Sequence, residues 1–320
     1  MKSFKPTLRN NFMFKNLGKL FVVKPGSLSE EEKEFYRDLS FENFIFFREH
    51  FENDFEEYLS CLKKALKSIK FLAVDQEGGR VCRIKGDFES PLEIAKKAKQ
   101  EGIKIFIEWA GKIAETVKQH KLNLNLSPVI DRGDDEAPSF LNGRTFGKDP
   151  QVITNLGKLF IEEHKKRGIK TCLKHFPGLY GVKMDPHEEL PLKEKLFEED
   201  LYPFKALSLE AEFIMTTHLL LPEIDQTKPI TFSEKAINFL RKVIEFKGAI
   251  LTDDLAMGAL KSYPLIERII FSLVSGHNLL IYCGSMTELM EALLKGKNEL
   301  EKSSTLKARI KESLTILERY

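Results

Sequence analysis

At 320 residues the chain can form one large α/β domain or two small ones. With 50 basic and 48 acidic residues the formal net charge is +2, which argues against a nucleic-acid partner. Apolar residues make up 42%, ample for a core, and no apolar run reaches the roughly 20 residues of a membrane span, so the chain reads as soluble and cytoplasmic.

The N-terminus is basic but has no continuous apolar leader segment, because FVV at 21–23 gives way to Lys24 and Pro25. Leu20–Val23 is the first predicted strand, followed by a helix over SLSEEEKEFYRDL with a Ser cap and an acidic first turn. Phe44–Phe47 is the second strand, and 53–69 has helical spacing of Phe55, Leu59, Leu62 and Leu66. The third, Phe71–Val74, ends in AVDQEGGRVCR, where Gly78 and Gly79 suit a tight turn. A long helix pattern over 91–120 leads to the fourth strand, Leu122–Leu126. After a helix at 150–166 comes the fifth, Ile169–Leu173, and a charged helix at 193–209 precedes the sixth, Phe213–Met215. A helix at 233–244 precedes the seventh, Ala249–Leu251, and one at 264–275 leads to the eighth, Leu279–Tyr282.

Eight strand–helix alternations predict an α/β fold, a (β/α)8 TIM-type barrel, with a doubly wound open sheet as the alternative. No linker or repeat divides the chain, so one domain is expected over 1–320, with a helical tail over about 286–320 packed on it. A glycine-rich dinucleotide turn and a P-loop are both absent, and no cofactor is expected. Cys61, Cys82, Cys172 and Cys283 form no CxxC pair. The last three lie in or beside apolar strands and read as buried free thiols, which fits a reducing compartment.

Polar residues collect where the strands end: Asp75, Asp131, Lys174 with His175, His218, and Asp253 with Asp254. The stretch KHFPGLYGVKMDPHEELP from Lys174 to Pro191 adds Asp185 and His187. In a barrel these positions converge on one mouth. Phosphate-binding glycine turns are not evident after the last two strands, and the first strand lacks the His-x-His pair of a metal hydrolase, so no metal is expected. A pocket of carboxylates, arginines, histidines and a lysine suits gripping hydroxyls while one carboxylate attacks, which is glycosidase chemistry.

AVDQEGGRVCR at 73–83, NLSPVIDRG at 125–133, NGRTFGKDP at 142–150, KHFPG at 174–178, DPH at 185–187, MTTH at 215–218 and LTDDLAM at 251–257 occur in one order. Over about 60–290 they resemble the glycoside hydrolase family 3 β-N-acetylglucosaminidases in their single-domain cytoplasmic bacterial form. The resemblance implies that Asp253, directly after Thr252, is the nucleophile of a retaining mechanism and that Asp254 is structural. It implies a proton donor, His187, paired with Asp185 on a mobile loop. Asp75, Arg83, Arg144, Lys174 and His175 would hold the sugar, and Asp131 and His218 match pocket-lining or supporting positions. Lys174 and Arg144 are expected to favour the ionised form of Asp253, and the loop is expected to close toward that acid.

The implied substrate is a muropeptide with terminal GlcNAc linked β-1,4 to anhydro-N-acetylmuramic acid, in peptidoglycan recycling. A β-glucosidase or phosphorolytic glycosidase of the same family is an alternative, as is a catalytically silent sugar-binding barrel. The chain departs from the family at Pro186, where DSH is usual, at Leu179 and Tyr180, where His-Gly is common, and at Gly276–His277–Asn278, where Gly-x-Asp is common.

Overall fold

The computed structural model describes residues 12–320; the first eleven positions of the basic N-terminus lie outside the described residues. Eight short strands run Phe21–Val23, Asn43–Phe46, Phe71–Val74, Leu124–Asn125, Lys170–Phe176, Phe213–Thr216, Ala249–Thr252 and Leu280–Tyr282. Each pairs in parallel with its neighbours, and the eighth lies beside the first. A parallel bridge between Leu251 and Leu279, with Thr252 N donating to Leu279 O at 3.1 Å, joins seventh to eighth and closes the ring. The fold is a (β/α)8 barrel.

The strands are buried along nearly their whole length because side chains fill the barrel inside and helices cover it outside. Helix starts follow the local chemistry. Ser90 and Glu93 form a capping box with Pro91 at the first position, Asp149 accepts from Gln151 N and Val152 N ahead of Pro150, and Ser233 caps the helix from Glu234.

Two helical patterns differ from their sequence reading. The 91–120 pattern is two helices, Pro91–Glu101 and Lys104–Gln119, broken at Gly102, whose φ of 106° lies outside the helical region. The 193–209 helix begins only at Glu198. Leu192 pairs as extended chain with Leu220, and the buried Lys193 ammonium donates to Gly178 O and Asp200 Oδ2, each at 2.7 Å. Those contacts hold the segment extended despite its helical composition.

Helices Met286–Lys295, Lys297–Lys302 and Ser304–Leu317 pack where the strands begin, with Asn278 Nδ2 donating to Ser313 Oγ at 3.2 Å and Arg309 Nε to Val274 O at 3.3 Å. The opposite end is thereby left to the loops that follow the strands. Among the described residues, no helix is long and apolar enough to cross a membrane.

Candidate active site

The loops after the strands enclose a cavity of about 460 Å³. Asp75, Arg83, Arg144, Lys174, His175, Asp185, His187 and Asp253 all line it, and so does Glu77, which the sequence reading passed over. Asp131 and His218 do not line it; each is buried behind a residue that does.

After the third strand the chain forms a small antiparallel hairpin, Gln76–Gly78 with Val81–Cys82. It turns through Gly78 and Gly79, at φ 101° and 55°, where a side chain would be strained. Buried Gln76 fixes the return, its Oε1 accepting from Arg83 N at 2.9 Å and Ile84 N at 3.0 Å. The hairpin thus brings Asp75, Glu77 and Arg83 to one wall.

Glu77 is 1% exposed and binds two cations. Arg144 donates to it bidentately, Nε to Oε2 and Nη2 to Oε1, both at 2.8 Å, and Lys174 Nζ lies 2.7 Å from Oε1. Lys174 also donates to Asp75 Oδ1 at 2.7 Å. Burial works against charge on Glu77, but Arg144 and Lys174 outweigh it and hold the carboxyl well below its usual range. For Lys174 burial favours the neutral amine, and Asp75 and Glu77 outweigh it, so the lysine is a fixed cation. Arg83 Nη2 stands 4.0 Å from Asp75 Oδ2, its guanidinium lies over the Phe47 ring, and its buried Nε has no protein partner.

The charges of Lys174 and Arg144 are engaged by Asp75 and Glu77, and the groups that most favour an ionised Asp253 are others. Burial pushes the Asp253 carboxyl up, but His175, His218 and the Asp254 amide outweigh it and hold it below the usual carboxylate range. That amide donates to Asp253 Oδ1 at 2.8 Å. The adjacent acid is moved the other way: burial raises Asp254 despite its bonds from Ala256 N and Cys283 N, both at 2.9 Å to Oδ1. Asp254 ties the seventh-strand loop to the eighth strand, while Asp253 faces the cavity as the more acidic of the two.

Two polar struts orient this chemistry. Asp131 Oδ2 accepts from His175 N at 3.1 Å and lies 2.7 Å from His175 Nδ1, and its Oδ1 accepts from Leu179 N at 2.8 Å. His218 bridges Thr231 Oγ1 at 2.6 Å and the Asp254 carbonyl at 2.9 Å, and burial lowers its basicity. It braces the Asp253–Asp254 turn from behind.

Asp185 and His187 form a pair on the fifth-strand loop. Asp185 Oδ1 lies 2.7 Å from His187 Nδ1 and accepts from His187 N at 2.9 Å. The ring is 63% exposed, and Nδ1 is the nitrogen that faces the acid. The loop already lies over the mouth, since its pair and Asp253 line one cavity. Cys283, read as buried, is half-buried and lines the same cavity. Among the described residues, no group of three or more His, Cys, Asp or Glu is placed to hold a metal ion.

Residues 15–318 match the model of the glycosyl hydrolase family 3 N-terminal domain. A beta-hexosaminidase of Neisseria gonorrhoeae (strain NCCP11945) is 33% identical over 287 residues, 84% of this chain and 78% of that protein. One from Tolumonas auensis is 30% identical over 284 residues, 84% of each. Among solved structures, a glycoside hydrolase family 3 beta-N-acetylglucosaminidase from Paenibacillus sp. str. FPU-7 matches with a TM-score of 0.84 at 21% identity over 97% of this chain, which spans 62% of that one. A beta-N-acetylhexosaminidase from Beutenbergia cavernae DSM 12333 matches with a TM-score of 0.83 at 19% identity, over 97% of this chain and 98% of that one. At these identities the structural likeness is one of fold.

Replacing Glu77 by Gln leaves two buried cations facing a neutral amide. Glu77→Gln should lower stability by about 3 kcal/mol or more at neutral pH. Because folding depresses the Glu77 pKa, its stabilisation is present above the usual value of 4.5 and is lost as pH falls. Thermal melts should therefore show a gap between variant and wild type that narrows on acidification; coincident melts at pH 7 would contradict the assignment.

Proposed function

The chain belongs to glycosyl hydrolase family 3, and on that premise we propose that it is a retaining exo-β-N-acetylglucosaminidase. The observation that carries this reading is the placement of Asp253 and the Asp185–His187 pair on one cavity beside a wall of fixed ions. The beta-hexosaminidase relatives support the choice of an N-acetylhexosamine substrate.

Asp75 accepts from ring hydroxyls of the terminal sugar, and Arg83, Arg144, Lys174 and His175 donate to it, with Glu77 holding two of those cations in place. Asp253 attacks the anomeric carbon while His187 gives its proton to the glycosidic oxygen, so the aglycone leaves and a glycosyl ester forms. Water then attacks that carbon, His187 takes its proton, and the bond to Asp253 breaks, which restores the original configuration. Asp185 fixes the ring and stabilises its cation. An imidazole suits both transfers near neutral pH.

We assign the substrate to muropeptides bearing terminal GlcNAc on anhydro-N-acetylmuramic acid, acted on in the cytoplasm by one barrel domain. Three observations favour that setting: free thiols at all four cysteines, a cavity lined by the barrel's own strands and loops, and the motif resemblance.

Purified protein should release nitrophenol from the β-GlcNAc glycoside far faster than from the β-glucoside; equal or reversed rates would overturn the substrate assignment. Asp253→Ala should reduce turnover by about a thousandfold or more, and an active variant would remove Asp253 from the mechanism. His187→Ala should slow a GlcNAc disaccharide by about a hundredfold. It should slow a dinitrophenyl glycoside much less, because a good leaving group needs little protonation.

A further inference from the structure

We propose that Gly258 is a positioning residue for the proton carrier: the seventh-strand loop holds the Asp185–His187 pair over the cavity through the Gly258 amide and the space its missing side chain leaves. The inference rests on the acid/base reading of His187 and extends it to what keeps that ring in place.

The stretch 183–190 has little to hold it by itself. Val182 before it is buried, and after it the Pro191 carbonyl accepts from Leu220 N at 2.8 Å. Between these anchors Lys183, Met184, His187, Glu188 and Glu189 are exposed, and only Pro186 is buried. The stretch closes on itself, Glu188 N and Glu189 N donating to Asp185 O at 3.0 and 3.2 Å. Among the described residues, two backbone hydrogen bonds join it to another part of the chain: Gly258 N to His187 O at 3.0 Å, and Ala259 N to Pro186 O at 3.2 Å. Both donors open the short 3-10 turn Gly258–Leu260, where first-turn amides have no partner inside the turn. The acceptors are the carbonyls of the proton carrier itself and of the residue joining it to Asp185.

Glycine is needed here for room, since Gly258 is not among the residues with positive φ. A Cβ at this position would overlap the carbonyl oxygens of His187 and Glu188 and would lie 2.7 Å from the Glu188 carbonyl carbon. These are backbone atoms, so no side-chain rotation relieves the clash; the loop must lift. Gly258 follows Asp253 by five residues on one loop. The same contact therefore sets the proton carrier against the nucleophile, where a displacement of about 1 Å is enough to cost a hundredfold in rate.

The test compares Gly258→Ala with His187→Ala on a dinitrophenyl β-GlcNAc glycoside and on a GlcNAc disaccharide. Gly258→Ala should lose about tenfold or more in kcat/KM on the disaccharide and less than about threefold on the dinitrophenyl glycoside, with a thermal transition near that of the wild type. An unchanged disaccharide rate, or an equal loss on both substrates, would overturn the proposal while leaving His187 its role. If His187→Ala itself shows no leaving-group dependence, the acid/base reading falls and this inference with it. In the wild-type protein the Gly258 and Ala259 amides should exchange hydrogen more slowly than those of Lys183 and Met184; unprotected exchange at both would overturn the latch whether or not the variant folds.

Discussion

The site depends on the buried cluster in which Glu77 faces Arg144 and Lys174, with Asp75 as the second acid. A lone charge in so enclosed a place would be strongly unfavourable. Here the members come from the loops after the third and fourth strands and from the fifth strand itself, so folding brings the compensating charges together. The bidentate grip on Arg144 fixes the guanidinium plane, and the two acids fix the lysine between them. One wall of the cavity is thus rigid and polar before any sugar arrives. It also engages these two cations, while histidines and a backbone amide are the groups that most favour an ionised Asp253.

The opposite side divides into a rigid half and a suspended half. Asp253 sits on a turn braced by His218 below and by Asp254 toward the eighth strand. His187 sits on an exposed loop that touches the same turn through the Gly258 and Ala259 amides. Pro186 has no amide hydrogen to donate, yet its carbonyl accepts one of the two bonds. The loop that carries Asp253 and the loop that carries His187 are therefore joined by two backbone hydrogen bonds.

All eight strands were legible in the sequence because each is a short, doubly buried apolar run. The fourth contracted to Leu124–Asn125, where the Asn125 side chain bonds both backbone groups of Gln76. Lys193 looked like a helix residue because its burial depends on Gly178 and Asp200, contacts that local periodicity does not encode. Glu77 is hard to read from sequence for a related reason: its hairpin is too short to show alternation, and Asp75 at the strand end and the glycines beyond are the stronger local signals. An acid embedded between the strand-end acid and a Gly-Gly turn was the available signal. The partners of Lys174 were equally out of reach, since adjacency to Asp75 and Glu77 is a property of the closed barrel. Asp131 and His218 stood out as strand-end polar residues, but only the fold shows that they brace the site from behind.

The proposed mechanism turns on a covalent bond between the Asp253 carboxylate and the sugar. It is tested most directly by trapping the enzyme with a 5-fluoro GlcNAc fluoride and mapping the labelled peptide by mass spectrometry. One sugar adduct per chain, carried by Asp253, is expected. An adduct on Asp254 or another residue, or turnover of the reagent with α-configured product and no adduct, would contradict it.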